Sequence, residues 1–281
     1  MDKTILYRSS TLHYREEGEG FPVLLLHGLA EDSALWEPQI ASLRKDYRLI
    51  IPDLPGSGRS PLPGGNLSSH PGEPGSFGGT PSIDELADAV KALCDKAGVG
   101  QCILIGHSMG GYVTLAFAQK YPDRLRAFGL FHSTAYADSE EKRATRRKTI
   151  DFIRKNGSPA FIRQSVPNLL AETTREKHPG IMKELIDRYS SFQPESLVYY
   201  LEAMIARPDR TSVLQRFAGP VLFIIGGQDN AVPLEHSLQQ CHIPTLSQVY
   251  ILENAGHMGM LEDPSRSNRF LQSFINFTLH S

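Results

Sequence analysis

Cysteine is scarce in this chain: three residues in 281, an odd number without framework spacing. A disulfide scaffold is thereby excluded, and reduced thiols in a cytoplasmic protein are the simplest account. Long apolar runs are missing as well. No stretch approaches membrane-spanning length, and the opening MDKTILYRSS has no apolar signal-peptide core. Charge of one sign is not in excess. Lys and Arg number 29 against 31 Asp and Glu, a formal net charge of −2, which argues against a nucleic-acid footprint. The ten histidines show no metal-ligand spacing, so neither metal nor other cofactor is expected. What is present is an ordinary globular composition, 40% hydrophobic and 21% charged. The length allows one large α/β domain or two small ones, and oligomeric state is left open.

The chain is organised around Gln101–Tyr121, QCILIGHSMGGYVTLAFAQKY. Cys102–Ile105 is an unbroken apolar run of strand length, as expected of a strand buried on both faces. Val113, Ala116 and Phe117 then recur at helical spacing. Between them, Gly106-His107-Ser108-Met109-Gly110 fits G-x-S-x-G, a strand–turn–helix elbow that raises a serine. A serine there is backbone-strained, strand and helix pass close beside it, and glycines leave the room. The free N–H groups at the helix start favour negative charge developing near Ser108.

Around this stretch the pattern alternates. Thr4–Arg8 and Thr11–Arg15 suit an antiparallel hairpin. Val23–Leu26 and Arg48–Ile51 read as buried strands, with a helix from about Ala34 to Arg44 capped by Asp32 or Ser33. Pro61–Pro81, rich in Gly, Pro and Ser, reads as a mobile surface insertion. Ser82–Ala97 is helical, with a Ser82/Glu85 capping box, and Arg126–Phe131 is a strand. From Ser133 to Phe217 the alternation gives way to helices: 139–155, 159–164, 180–190, 194–206 and 210–216. Strand Val221–Ile225, helix Leu234–Cys241, strand Gln248–Leu252 and a helix from Pro264 follow. This rhythm implies a mostly parallel sheet with helices on both faces. The core is then 1–132 with 218–281, and 133–217 is a helical cap inserted at one sheet edge.

A serine hydroxyl needs a base to take its proton and a third group to orient that base. Gly226-Gly227-Gln228-Asp229 and Gly256-His257 both follow strands, and in a parallel sheet those ends share the edge where ligands bind. Ser108, Asp229 and His257 can therefore meet despite their separation in sequence.

On these residues the sequence resembles an α/β-hydrolase-fold serine hydrolase over nearly its whole length. The carriers are His27-Gly28, Asp53–Ser60 of the form D-x-P-G-x-G-x-S, the elbow, Gly227-Gln228-Asp229 and Gly256-His257. The resemblance implies Ser108 as nucleophile, His257 as general base then acid, and Asp229 as orienting carboxylate. It also implies an oxyanion hole from the backbone N–H groups of Leu29 and Met109. Asp53 is the rival acid, but its Pro-Gly loop before the elbow strand suits a turn-stabilising carboxylate. His27 and His107 flank the site and suit structural hydrogen bonds. The basic run Lys142, Arg143, Arg146, Arg147 and Lys148, interleaved with acids, reads as a solvated helix face rather than an anion site. Phe131, His132, Tyr136, Phe152, Phe161 and Tyr199 are the candidate pocket liners, and Trp36 is expected to pack.

A serine at the elbow implies acyl transfer to water, in the manner of small-molecule carboxylesterases and lactonases of this superfamily. The expected partners are a small ester or lactone and water, with neither nucleic acid nor membrane. A carbon–carbon bond hydrolase, a perhydrolase-like enzyme, an aminopeptidase and a non-catalytic receptor on the same fold are the alternatives.

Overall fold

The computed structural model describes residues 1–63 and 81–280. Most of the insertion expected over Pro61–Pro81 lies outside them. Eight strands form one sheet: β1 (Asp2–Tyr7), β2 (Ser10–Glu17), β3 (Pro22–Leu26), β4 (Arg48–Pro52), β5 (Cys102–His107), β6 (Leu125–Phe131), β7 (Val221–Gly226) and β8 (Ser247–Leu252). Their spatial order is β1-β2-β4-β3-β5-β6-β7-β8. β1 and β2 are antiparallel to their neighbours, and every pairing from β4 to β8 is parallel. The β1–β2 hairpin turns on Arg8 and Ser9, both at positive φ, the two-residue geometry that matches strand twist.

The central strands are buried throughout because both faces are covered. VLLL of β3, CILIGH of β5 and VLFIIG of β7 have no exposed residue. α1 (Glu37–Leu43) packs with α11 (Pro264–His280), and α2 (Ile83–Lys96) with α3 (Met109–Lys120), covering the two faces. α3 is buried on all sides from Met109 to Ala118. α11 buries only one stripe, including Phe270, Leu271, Phe274 and Ile275. The Ser82 side chain caps α2 through the Asp84 N–H, while Glu85 bonds Arg8 and Tyr199 instead of closing a capping box.

Between β6 and β7 lie only helices: α4 (Glu140–Leu169), α5 (Glu172–Lys177), α6 (Pro179–Tyr189), α7 (Pro194–Ala206) and α8 (Thr211–Arg216). α4 bends at Gly157 (φ 78°, ψ 171°), the break expected between residues 155 and 159. Its second half has Pro159 in the first turn, where the missing N–H is not needed, and runs to Leu169 rather than ending at 164, with Pro167 carried inside it. The short α5 was not anticipated. α9 (Leu234–Leu238) and α10 (Gly259–Glu262) complete the chain.

The sheet order reverses direction between β3 and β5. At such a switch point the loops leaving the strand ends diverge and leave a crevice. The loops after β3, β5, β7 and β8 bring Leu29, Ser108, Asn230 and His257 to one cavity along that edge.

Candidate active site

Ser108 lies between β5 and α3 at φ 50°, ψ −117°, a strained conformation for a residue with a side chain. Its neighbours explain how that strain is held. A Cβ on Gly106 would come within 2.2 Å of the Gly110 carbonyl, and one on Gly110 within 2.6 Å of the His27 carbonyl. The Ser108 N–H donates to the Phe131 carbonyl at 3.0 Å. Its own carbonyl accepts from Gly111 N–H at 2.9 Å and from Ser133 Oγ at 2.7 Å. The turn is thus fixed from both sides.

Asp229 follows β7 and is buried. Oδ1 accepts from the N–H groups of Ala231 (2.8 Å) and Val232 (2.9 Å). Oδ2 accepts from His257 Nδ1 at 2.7 Å. Burial works against the Asp229 charge, but His257 and these bonds outweigh it and bring its pKa down to about 2. His257 is buried, and its N–H donates to the Leu169 carbonyl at 2.7 Å, so α4 helps seat this loop. With Nδ1 committed to Asp229, Nε2 is the nitrogen left for a reacting group.

Ser108 and His257 line one cavity of about 510 Å³. Leu29 borders it too, and Met109 is the first residue of α3. Among the described residues neither backbone N–H donates to a protein acceptor. Of the aromatic liners expected, only Phe161 is on this wall, with Ile162, Val166, Leu185 and Met204 from α4, α6 and α7. Phe131 is fully buried, edge-on to Trp36 with centroids 5.7 Å apart. Tyr136 gives its carbonyl to Arg207 at 3.1 Å. Phe152 lines an adjoining hollow of about 370 Å³, which shares Thr145, Phe161 and Ser165 with the cavity. The Tyr199 hydroxyl reaches Glu85 at 3.2 Å. None of these four lines the cavity, because each is claimed by packing or a bond elsewhere. A larger cleft, about 590 Å³, runs beside Met1, Arg15 and Arg59, and neither Ser108 nor His257 reaches it.

His132 is not a liner either. It packs behind Asp229, Nδ1 3.7 Å from Oδ2, while Nε2 accepts from Gly259 N–H at 3.2 Å. Burial, with His257 and His107 nearby, outweighs the pull of Asp229 and keeps its pKa well below the usual histidine value. Asp53 accepts from Ser33 N–H at 2.9 Å and Arg59 N–H at 3.0 Å, the turn-holding part expected of it. His27 Nε2 accepts from Leu54 N–H at 2.9 Å. Residues that the sequence did not single out are Glu31, Tyr112, Ile162, Val166, Leu185, Tyr189 and Met204. Tyr112, one turn beyond Ser108, and the helical spacing of Ile162 and Val166 were the available signals.

Among the described residues no group of three or more His, Cys, Asp or Glu side chains is arranged to hold a metal ion. No described helix is long and apolar enough to cross a membrane.

Similarity to known proteins follows the same lines. An esterase from Thermogutta terrifontis, solved with malate bound, superposes with a TM-score of 0.87 at 31% identity, covering 96% of this chain and 94% of that one. An enol-lactonase from Burkholderia xenovorans LB400 superposes with a TM-score of 0.85 at 23% identity, covering 98% and 100%. In sequence, a putative carbamate hydrolase, RutD, of Stutzerimonas stutzeri is 27% identical over 266 residues, 92% of this chain and 93% of its own. The family model for the alpha/beta hydrolase fold matches residues 22–264, and the chain belongs to that family.

Proposed function

We propose that the protein is a serine hydrolase that cleaves a small carboxylic ester or lactone through an acyl-enzyme on Ser108. The observation that carries this reading is the 2.7 Å Asp229–His257 bond beside a cavity that also holds Ser108 on its strained turn. Support comes from the relatives. A putative carbamate hydrolase and an esterase are both named for cleaving an acyl carbon bonded to a heteroatom.

In this mechanism Ser108 Oγ attacks the substrate carbonyl as its proton passes to His257 Nε2. Asp229 holds the Nδ1 proton and stabilises the imidazolium that forms. The N–H groups of Leu29 and Met109 receive the oxyanion, each such donor being worth about 3–4 kcal/mol in the transition state. The carbonyl re-forms, the alkoxy group leaves with the proton from His257, and the acyl group stays on Ser108. Water, deprotonated by the same imidazole, then releases the acid and restores the serine. Residues 133–217 act as a cap whose side chains select the substrate, while the reacting groups stay on the sheet loops.

The test is turnover of p-nitrophenyl butyrate together with fluorophosphonate labelling. The wild type is expected to hydrolyse the ester and take label at Ser108. Ser108→Ala is expected to stay folded, take no label and lose about 10⁴–10⁶-fold in kcat. Near-wild-type turnover in folded Ser108→Ala would refute the reading. A wild type that binds esters without turnover would instead favour a receptor.

A further inference from the structure

The basic segment of α4, expected to be a solvated face, is divided by the fold. Arg147 and Lys148 are exposed, whereas Lys142 and Arg146 line the cavity of Ser108, the Arg146 side chain only 15% exposed. Behind Arg146 sits Asp138, whose fully buried carboxylate accepts from Arg146 Nε at 2.6 Å and from Arg207 Nη2 at 2.9 Å. One carboxylate thus serves two guanidinium groups. Arg207 lies over the ring of Tyr112, 3.8 Å from its centroid, and its Nε has no hydrogen-bond partner.

Lys142 adds a third cation. Its Nζ donates to the Ala231 carbonyl at 3.0 Å, a partner that carries no countercharge. Glu141 also borders the cavity, but it is exposed and pairs with none of these cations. The other buried carboxylate on this wall, Glu31, is taken by His107. Positive charge on a partly buried wall is costly until an anion meets it. Tyr112, which lines the same cavity, reports the resulting field. Burial pushes its phenol up, yet Arg207, Lys142 and Arg146 outweigh burial and hold it below the ordinary tyrosine value.

We infer that this wall is a carboxylate subsite: the ester or lactone cleaved at Ser108 carries an anionic carboxylate a few bonds from its reacting carbonyl, held by Arg146 and Lys142. The inference rests on the hydrolase reading above. Arg146 suits the part because Asp138 occupies its Nε edge, and among the described residues Nη1 donates to no acceptor. The guanidinium fork can therefore engage a second carboxylate.

Two matched substrate pairs test it. Mono-p-nitrophenyl glutarate against p-nitrophenyl valerate places the charge on the acyl side, and 4-acetoxybenzoate against phenyl acetate places it on the leaving side. In at least one pair the wild type is expected to favour the anion at least tenfold in kcat/KM. Arg146→Gln should lower that preference about 10- to 100-fold, the usual worth of a charge-assisted bond. Arg147→Gln, on the exposed face, should leave the ratio where it is. If Arg146→Gln does not fold, Lys142→Met gives the same readout. Absence of preference in both pairs, or a preference untouched in both variants, overturns the subsite while ester turnover keeps the hydrolase reading. A wild type that cleaves none of the four esters overturns that reading instead. Calorimetry with glutarate then decides the subsite alone: binding weakened by Arg146→Gln retains it, and no binding removes it.

Discussion

Glu31 and His107 form a buried pair that ties the loop after β3 to the strand carrying Ser108. His107 Nδ1 lies 3.0 Å from Glu31 Oε2, which also accepts from Gly28 N–H at 2.5 Å. The other ring nitrogen, Nε2, lies 2.9 Å from the His257 carbonyl. The carbonyl can only accept and a carboxylate does the same, so the arrangement suits an imidazolium facing an ionised Glu31. Burial opposes this, yet Glu31 outweighs it and raises His107, as His107 in turn lowers Glu31. One ion pair therefore joins the Leu29 loop, the Ser108 turn and the His257 loop.

Removing one partner leaves a buried charge unpaired, so Glu31→Gln should destabilise the protein by about 3–5 kcal/mol. The pH dependence follows from the directions of the two shifts. The stability from Glu31 is fully present above its ordinary 4.5 and is lost as pH falls through its lowered folded value. The stability from His107 is fully present below its ordinary 6.5 and is lost as pH rises through its raised folded value. Urea unfolding of wild type and the Glu31→Gln, His107→Gln double variant should therefore differ most between pH 4.5 and 6.5. A gap that stays constant from about pH 5 to 9 would mean that the pair is not ionised as drawn.

Two carboxylates compete for the orienting role, and substitution separates them. Asp229→Asn presents an amide to His257 Nδ1 and favours the wrong tautomer, so kcat should fall about 10⁴-fold with folding intact. Asp53→Asn loosens the bonds to Ser33 and Arg59, so its cost should appear as about 1–3 kcal/mol of stability. Turnover abolished by Asp53→Asn in folded protein, but spared by Asp229→Asn, would reverse the assignment.

The parts of this molecule that were legible in the sequence are those governed by neighbours along the chain. The apolar runs of β3, β5 and β7 and the glycine-flanked turn at Ser108 are local demands of burial and backbone geometry. Even the break in α4 at Gly157 left a trace. Side-chain destinations were not legible, because they depend on elements far apart in sequence. Glu31 reads as a loop acid until β5 brings His107 beside it. His132 follows a strand as a pocket residue would, but its positive φ of 50° turns it behind Asp229. Lys142 and Arg146 look like surface charge until Asp138 and Arg207 fix which side of α4 faces inward.

Two phenylalanines of α4 share a hollow, but only one of them also reaches the Ser108 cavity. Phe161 stands between the Ser108 cavity and the neighbouring hollow and borders both, whereas Phe152 borders only the hollow, with Lys148 and Thr149. Phe161→Ala enlarges the space available to substrate and should move the preferred acyl chain upward in length. Each methylene accommodated is worth about 1–3 kcal/mol, so the shift should be graded, with acetate esters still cleaved. Phe152→Ala should leave the chain-length profile as it is and show its effect in stability alone. The measurement is kcat/KM for p-nitrophenyl esters from acetate to decanoate in wild type and both variants. A shift caused by Phe152→Ala would place the acyl group in the hollow that both side chains border.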